Sequence, residues 1–190
     1  MAYWTSRGLR GSAFEEMINL TNQLYLKRGL AVIQKVPTPI TPTEVNNASH
    51  TITKAYFEKK STVDYIGVAG GLALCFDAKE TGTKNLPTRN IHLHQIEFME
   101  AFGRQKGISF ILVQFQITKE IFFMPCEAIK AHYDIMQKGG RKSIPYEAFD
   151  PIYRVEEKDG YPVHYLEAVW RYFKADGGYS QFLSRINNKL

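Results

Sequence analysis

Residues 61–81 read STVDYIGVAGGLALCFDAKET. Two apolar runs flank Gly70–Gly71, and a glycine pair supplies the positive backbone angles of a tight hairpin turn. Leu72 to Ala78 is therefore a strand returning along the one before it, and the turn folds Asp64 back toward Asp77. Strand residues two apart share a face, so Asp77 and Lys79 point together and Ala78 points away. Two carboxylates so placed offer the oxygen ligands that a hard cation such as Mg²⁺ prefers. Such a cation stabilises charge on a phosphoryl group and lowers the pKa of an attacking water. Lys79 would orient or help deprotonate that water, or stabilise the pentavalent transition state. D-x-K alone also describes a plain ion pair at a strand end. The apolar strand before it and the acid across the glycine turn favour phosphodiester hydrolysis.

Upstream of the hairpin, Ser12 stands as a helix cap with Glu15 in the reciprocal position. Phe14, Met17, Ile18, Thr21, Leu24 and Tyr25 recur at three- and four-residue steps, an amphipathic helix ending at Lys27–Arg28–Gly29. From its position, Glu15 could reach the Asp64–Asp77 site. Residues 1–11 form a flexible arm in which Arg7 and Arg10 are candidate phosphate contacts. Leu30 to Val36 reads as a strand. The next stretch, PTPITPTEVNNASH, has three prolines and little apolar content, which excludes a helix and disfavours a central strand. It is either disordered or a projecting arm, with Thr51 to Phe57 as its return; the insertion covers about 37–54 of a single domain spanning 1–190.

Downstream, KETGTKNLPTRN reads as a polar loop, and Asn90 or His92 opens a helix through HLHQIEFMEAFGRQKG. Gln95 in that helix could ligate a cation through its side-chain oxygen or hydrogen-bond a water beside it. His92 and His94, two apart in a helix, would face away from each other. Ile108 to Phe115 and Glu120 to Met124 read as strands, Glu127 to Gln137 and Pro162 to Lys174 as helices. The order predicts an α/β domain with a mixed β-sheet flanked by helices.

Hydrophobic residues make up 44% of the 190, enough for a sizeable core and against wholesale disorder. The 24 Lys and Arg against 19 Asp and Glu leave a charge of +5, compatible with a polyanionic partner. Cys75 and Cys126 lie in apolar contexts without CxxC spacing, which fits buried thiols in a reducing compartment. No signal-like segment and no run of roughly 18 apolar residues is present, so no membrane association and a cytoplasmic location are expected.

The hairpin stretch resembles the metal site of the PD-(D/E)xK nuclease superfamily. With GSAFEEMINLTNQLY, AVIQKVPTPI, KAYFEKK, LPTRNIHLHQIEFM and GRKSI in order, the chain resembles the RecU family of bacterial Holliday-junction resolvases. The resemblance implies a restriction-endonuclease-like core carrying a projecting stalk. It implies a homodimer that binds four-way junction DNA and makes paired symmetric nicks with Mg²⁺, for which Mn²⁺ substitutes. A recombinase is a further implied partner. Asp64 and Asp77 carry over as metal ligands, Lys79 as the catalytic lysine, and Glu15 and Gln95 as supporting active-site residues; Thr62 would face the scissile region near the metal. Lys35 and Lys54 in the stalk, Arg89, Arg141 and Lys142 join Arg7 and Arg10 as candidate DNA contacts, each also readable as a solvated surface charge. Two rival readings stand beside this one. The first is a repair or nicking nuclease of the same fold. The second is a junction-binding recombination scaffold without catalysis.

Overall fold

A computed structural model describes residues 13–57 and 62–175 of the chain. The arm 1–11 with Arg7 and Arg10, and the Ser12 cap, lie outside those residues. The helix expected first is α1 (Ala13–Lys27), with Gly29 at φ +67° past its end and Leu30 N–H returning to Tyr25 O. β1 (Ala31–Lys35) follows, and then a hairpin of β2 (Ile40–Asn46) and β3 (Thr51–Phe57). The expected hairpin is β4 (Tyr65–Ala69) and β5 (Leu72–Thr81), joined by Gly70 and Gly71 at φ +53° and +82°.

The main sheet has six strands in the order β1-β4-β5-β7-β8-β10, with β7 at Ile108–Phe115, β8 at Glu120–Pro125 and β10 at Arg154–Val155. Among the described strands only β5 and β7 run parallel, and the crossover between them carries α2 (Leu93–Arg104). The sheet is therefore mixed, as expected. Leu74, Phe76, Phe110, Leu112 and Phe123 face α1 and α4 (Leu166–Ala175). Cys75, Ile111, Val113, Phe122 and Met124 face α2 and α3 (Cys126–Gln137). Burial on both faces explains the unbroken apolar run of β7. Trp170 of α4 closes over the β4–β5 turn: a Cβ on Gly70 would meet its ring at 2.9 Å. Positive φ and that close approach both call for glycine there.

The proline-rich segment is a projecting two-stranded ribbon separate from the main sheet. Apart from the half-buried Thr41, its described side chains are exposed. The ladder shifts register between Pro42 and Val45, where proline brings no N–H to the pairing.

Three expectations need correction. The stretch read as the loop KETGTKNLPTRN is partly strand: β5 runs on to Thr81, and β6 (Asn85–Pro87) pairs with β9 (Ser143–Pro145) in a third small sheet. Three-residue strands are too short to carry a hydrophobic period. The last helix starts at Leu166 rather than Pro162. The intervening backbone is held elsewhere, with Val163 N–H on Thr21 Oγ1 at 3.1 Å and His164 N–H on Glu156 O at 3.0 Å. Finally, His92 and His94 do not face apart: their rings stack at 5.4 Å, because His92 is the extended N-cap of α2 and not yet helical. Among the described residues no helix is long and apolar enough to cross a membrane.

Candidate active site

The register of β4 with β5 sets Tyr65 opposite Phe76, so the next rung outward places Asp64 beside Asp77. The two are tied reciprocally. Asp64 N–H donates to Asp77 Oδ1 at 3.1 Å, and Ala78 N–H donates to Asp64 Oδ2 at 3.0 Å. Val36 N–H on Asp64 O, at 2.8 Å, fixes the same corner to the end of β1. Asp77 is only 1% exposed. Strand alternation carries it and Lys79 to the face covered by α2, and Lys79 Nζ ion-pairs with Asp77.

Gln95 joins this group from the first turn of α2. Its Nε2 donates to Asp77 Oδ2 at 2.9 Å, and its Oε1 accepts from His92 N–H at 3.1 Å and from Lys79 Nζ at 3.5 Å. A helix N-terminus has backbone donors to satisfy, and Gln95 at N3 satisfies one of them. The same amide thus holds a catalytic-side carboxylate and caps its own helix. Its oxygen is engaged by backbone and lysine, so the geometry makes Gln95 a positioning residue.

Burial pushes the Asp64 carboxyl up to about 7; the neighbouring Asp77 charge and hydrogen bond add to this, while Ala78 N–H and Lys79 pull the other way. One lysine does not offset two adjacent carboxylates in a half-buried corner. Each carboxylate oxygen has two lone pairs, and the bonds above leave several unused. This is a hard oxygen donor set carrying surplus negative charge, and it fits a divalent cation of the Mg²⁺ type. Mg²⁺ needs no more than one or two carboxylates when waters and substrate phosphate complete its shell. Among the described residues no three His, Cys, Asp or Glu side chains gather as a ligand group.

Glu15 approaches from a different element. It belongs to α1, on the opposite face of the sheet, and its carboxylate meets Lys35 Nζ at 2.5 Å. Tyr65 links the two regions, its hydroxyl donating to Asn19 Oδ1 at 3.0 Å and lying 3.5 Å from Glu15 O. Thr62 is exposed on the bend leading into Asp64. Of the basic candidates, Lys35 is committed to Glu15, and Lys54 lies 3.6 Å from Glu44 across the stalk. Arg89, Arg141 and Lys142 are exposed and are brought together: Thr88 N–H bonds Lys142 O at 3.0 Å, continuing the β6–β9 ladder. That pairing also brings in Lys84, whose carbonyl accepts from Tyr146 N–H at 3.0 Å, and it follows the exposed Lys138. Neither Lys84 nor Lys138 stood out in the sequence; the signal was the lack of acids in the two stretches that pair.

A family model described as Recombination protein U matches residues 9–171. The Holliday junction resolvase RecU of Streptococcus uberis is 42% identical over 158 residues, covering 81% of this chain and 74% of that protein. Its counterpart in Streptococcus sanguinis is 43% identical over 165 residues, covering 84% and 82%. That of Levilactobacillus brevis is 42% identical over 171 residues, covering 87% and 85%. Among solved structures, the Holliday junction resolvase Hjc of Archaeoglobus fulgidus aligns over 62% of this chain and 78% of that one, with 13% identity and a TM-score of 0.39.

Proposed function

The chain belongs to the RecU family, and from that premise we propose that it is an endonuclease that resolves four-way DNA junctions by divalent-metal-dependent hydrolysis at Asp64, Asp77 and Lys79. The observation that carries this reading is the reciprocal Asp64–Asp77 pair, with Lys79 and Gln95 converging on Asp77.

Asp64 and Asp77 would hold the cation, Mg²⁺ or Mn²⁺. When bound, it supplies positive charge to the scissile phosphate and acidifies a water. The chain's own residues do the rest. The Ala78 N–H fixes Asp64 Oδ2, and Gln95 fixes Asp77 Oδ2, so both carboxylates are oriented before substrate arrives. Lys79 Nζ, 16% exposed, lies between Asp77 and solvent, where it meets an incoming phosphate or its attacking water. Glu15 supports from the α1 side through Lys35, and Thr62 borders the scissile region on the bend before Asp64.

Symmetric cuts on two strands require two such sites, which a homodimer related by a twofold axis supplies. The β2–β3 ribbon is the stalk that enters the open centre of the junction. Its exposed side chains fit contact with a partner outside the domain. A junction-DNA substrate fits a cytoplasmic location.

The test is cleavage of an end-labelled four-way junction beside a linear duplex of matched sequence, with Mg²⁺ or with a chelator. Junction cleavage that needs the metal is expected, with the duplex left intact. Equal cutting of the duplex would favour a general repair nuclease. Junction binding without cleavage in Mg²⁺, or with Mn²⁺ in its place, would favour a scaffold.

A further inference from the structure

We propose that the β6–β9 ribbon is the grip on the phosphate backbone of a duplex arm leaving the active site. The inference rests on the junction-nuclease reading and says which part of the protein holds which part of the substrate.

The first observation is charge. Residues 81–96 and 135–146 hold Lys84, Arg89, Lys138, Arg141 and Lys142 and not one Asp or Glu. Their five positive charges equal the net charge of the entire chain, +5. Between the bounding acids Glu80, Glu97, Asp134 and Glu147, the two stretches thus carry charge of one sign only.

The second is pairing. The ladder sets Asn85 opposite Pro145 and Pro87 opposite Ser143. It is extended at one end by Lys84 O with Tyr146 N–H, and at the other by Thr88 N–H with Lys142 O. Two stretches far apart in the sequence thus form one cationic strip. Arg141 crosses it, donating from one guanidinium nitrogen to Asn85 Oδ1 at 2.9 Å. That bond orients the fork and leaves further N–H donors for phosphate oxygens.

The third is availability. All five cations are exposed, and none takes part in an ion pair among the described residues. The two stalk-side candidates differ, since Lys35 and Lys54 each already face a glutamate. A phosphate must displace those acids but meets no competitor on the ribbon.

The fourth is position. β6 begins four residues after β5, the strand that carries Asp77 and Lys79. A single 3-10 turn, Thr88–Asn90, then leads to α2, whose Gln95 touches Asp77. The ribbon is bracketed on both sides by elements of the site. Its three rungs, at ~3.3 Å each, span about the axial rise of three base pairs. Contacts of this kind position a duplex without reading its sequence.

The experiment measures binding in the Asp77→Asn background, so that no cleavage intervenes. Anisotropy of a labelled four-way junction and of a linear duplex is followed from about 50 to about 200 mM salt. Arg141→Gln/Lys142→Gln and Lys84→Gln/Arg89→Gln are compared with Lys35→Gln/Lys54→Gln. Removing one cation that neutralises a phosphate flattens the log–log salt slope by ~0.9, so each ribbon pair is expected to flatten it by about 2. The loss is expected on both DNAs, because an arm is ordinary duplex. Arg141→Lys, which keeps the charge, is expected to retain the slope, and unchanged thermal midpoints show that the variants are folded. Ribbon variants that keep the parental slope would overturn the proposal while leaving the nuclease reading intact, as would a larger loss from the Lys35/Lys54 pair. A parent that binds neither DNA would overturn both.

Discussion

Gln95 does two jobs with one amide, and its replacement separates them from catalysis proper. Gln95→Ala removes the buried donor to Asp77 and the acceptor for His92 N–H. Loss of such a bond to a charged group costs ~1–3 kcal/mol, and loss of an orienting partner lowers metal affinity or activity by ~10–100-fold. The expected signature is a raised Mg²⁺ requirement for junction cleavage, with junction binding in chelator unchanged. Unaltered metal dependence would remove Gln95 from the positioning role. Asp64 gives a prediction of opposite sign. Its carboxylate sits half-buried against Asp77, and the repulsion is tolerated for function. In chelator at about pH 8, above the raised value of the Asp64 carboxyl, Asp64→Asn should stabilise the metal-free fold by on the order of 1 kcal/mol, read as a higher denaturant midpoint, while abolishing cleavage. A destabilised Asp64→Asn would show that the pair is not in conflict. At this scale the sequence was informative because strand alternation and one glycine turn are local rules. They placed Asp64, Asp77 and Lys79 together. Spacing could not show that Glu15 is taken by Lys35, twenty residues away on another element, or that Gln95 turns its oxygen to its own helix cap.

The segment before α4 is held to α1 by polar contacts as well as by packing. Tyr25 Oη lies 2.8 Å from His164 Nδ1 and receives Leu166 N–H at 3.4 Å, while Tyr165 Oη donates to Asn22 Oδ1 at 2.5 Å. A neutral His164 whose proton sits on Nε2 leaves Nδ1 to accept from the Tyr25 hydroxyl. Burial lowers the His164 pKa from the ordinary 6.5, with Glu167 and Asp159 acting against it and Lys158 and Arg28 with it. A histidine with a depressed folded-state pKa gives stability that is full above the unfolded value and is lost as pH falls through the lower folded value. The stability advantage of wild type over His164→Gln should therefore shrink as pH is lowered from about 7 toward about 5. Taking the difference cancels the opposite contribution of Asp64, whose raised pKa strengthens the metal-free fold on acidification. An advantage that is constant or growing over that window would contradict the assignment. The stalk gives a second test at this scale. A solvent-exposed two-stranded ribbon adds little to the stability of a core it does not pack into. Replacing residues 39–56 by a short Gly-Ser linker should leave the thermal midpoint nearly unchanged and erase the preference for junction over linear duplex. Long elements were legible, α1 because its apolar period runs for several turns and β7 because its apolar run is long enough for a buried strand. The β6–β9 pairing was not, since three residues carry no period and the partner strand lies far along the chain. The late start of α4 was hidden for a related reason: the bonds of Val163 N–H to Thr21 and His164 N–H to Glu156 hold this backbone to other elements, which the period of 162–174 does not register.

At the scale of the whole molecule, one face of a mixed sheet builds the acidic corner, and the chain then runs at once into a cationic ribbon and out of a projecting stalk. The half-buried Asp64–Asp77 corner supplies negative charge for a cation, and the exposed cations of the ribbon supply positive charge for phosphates. The paired carboxylates, the ribbon and the stalk are three separate parts of one domain, and their expected losses differ: chemistry, affinity and selectivity. The proposed homodimer would double the arrangement about a twofold axis and match the symmetry of the junction. The most direct test of the account is to map, at nucleotide resolution, the cuts made in a four-way junction labelled on each strand in turn, using wild type and Asp77→Asn with Mg²⁺ present. The account predicts nicks at symmetry-related positions on two opposing strands for wild type and none for Asp77→Asn, with junction binding retained. Cleavage that persists in Asp77→Asn, or wild-type cuts without symmetry, would contradict it.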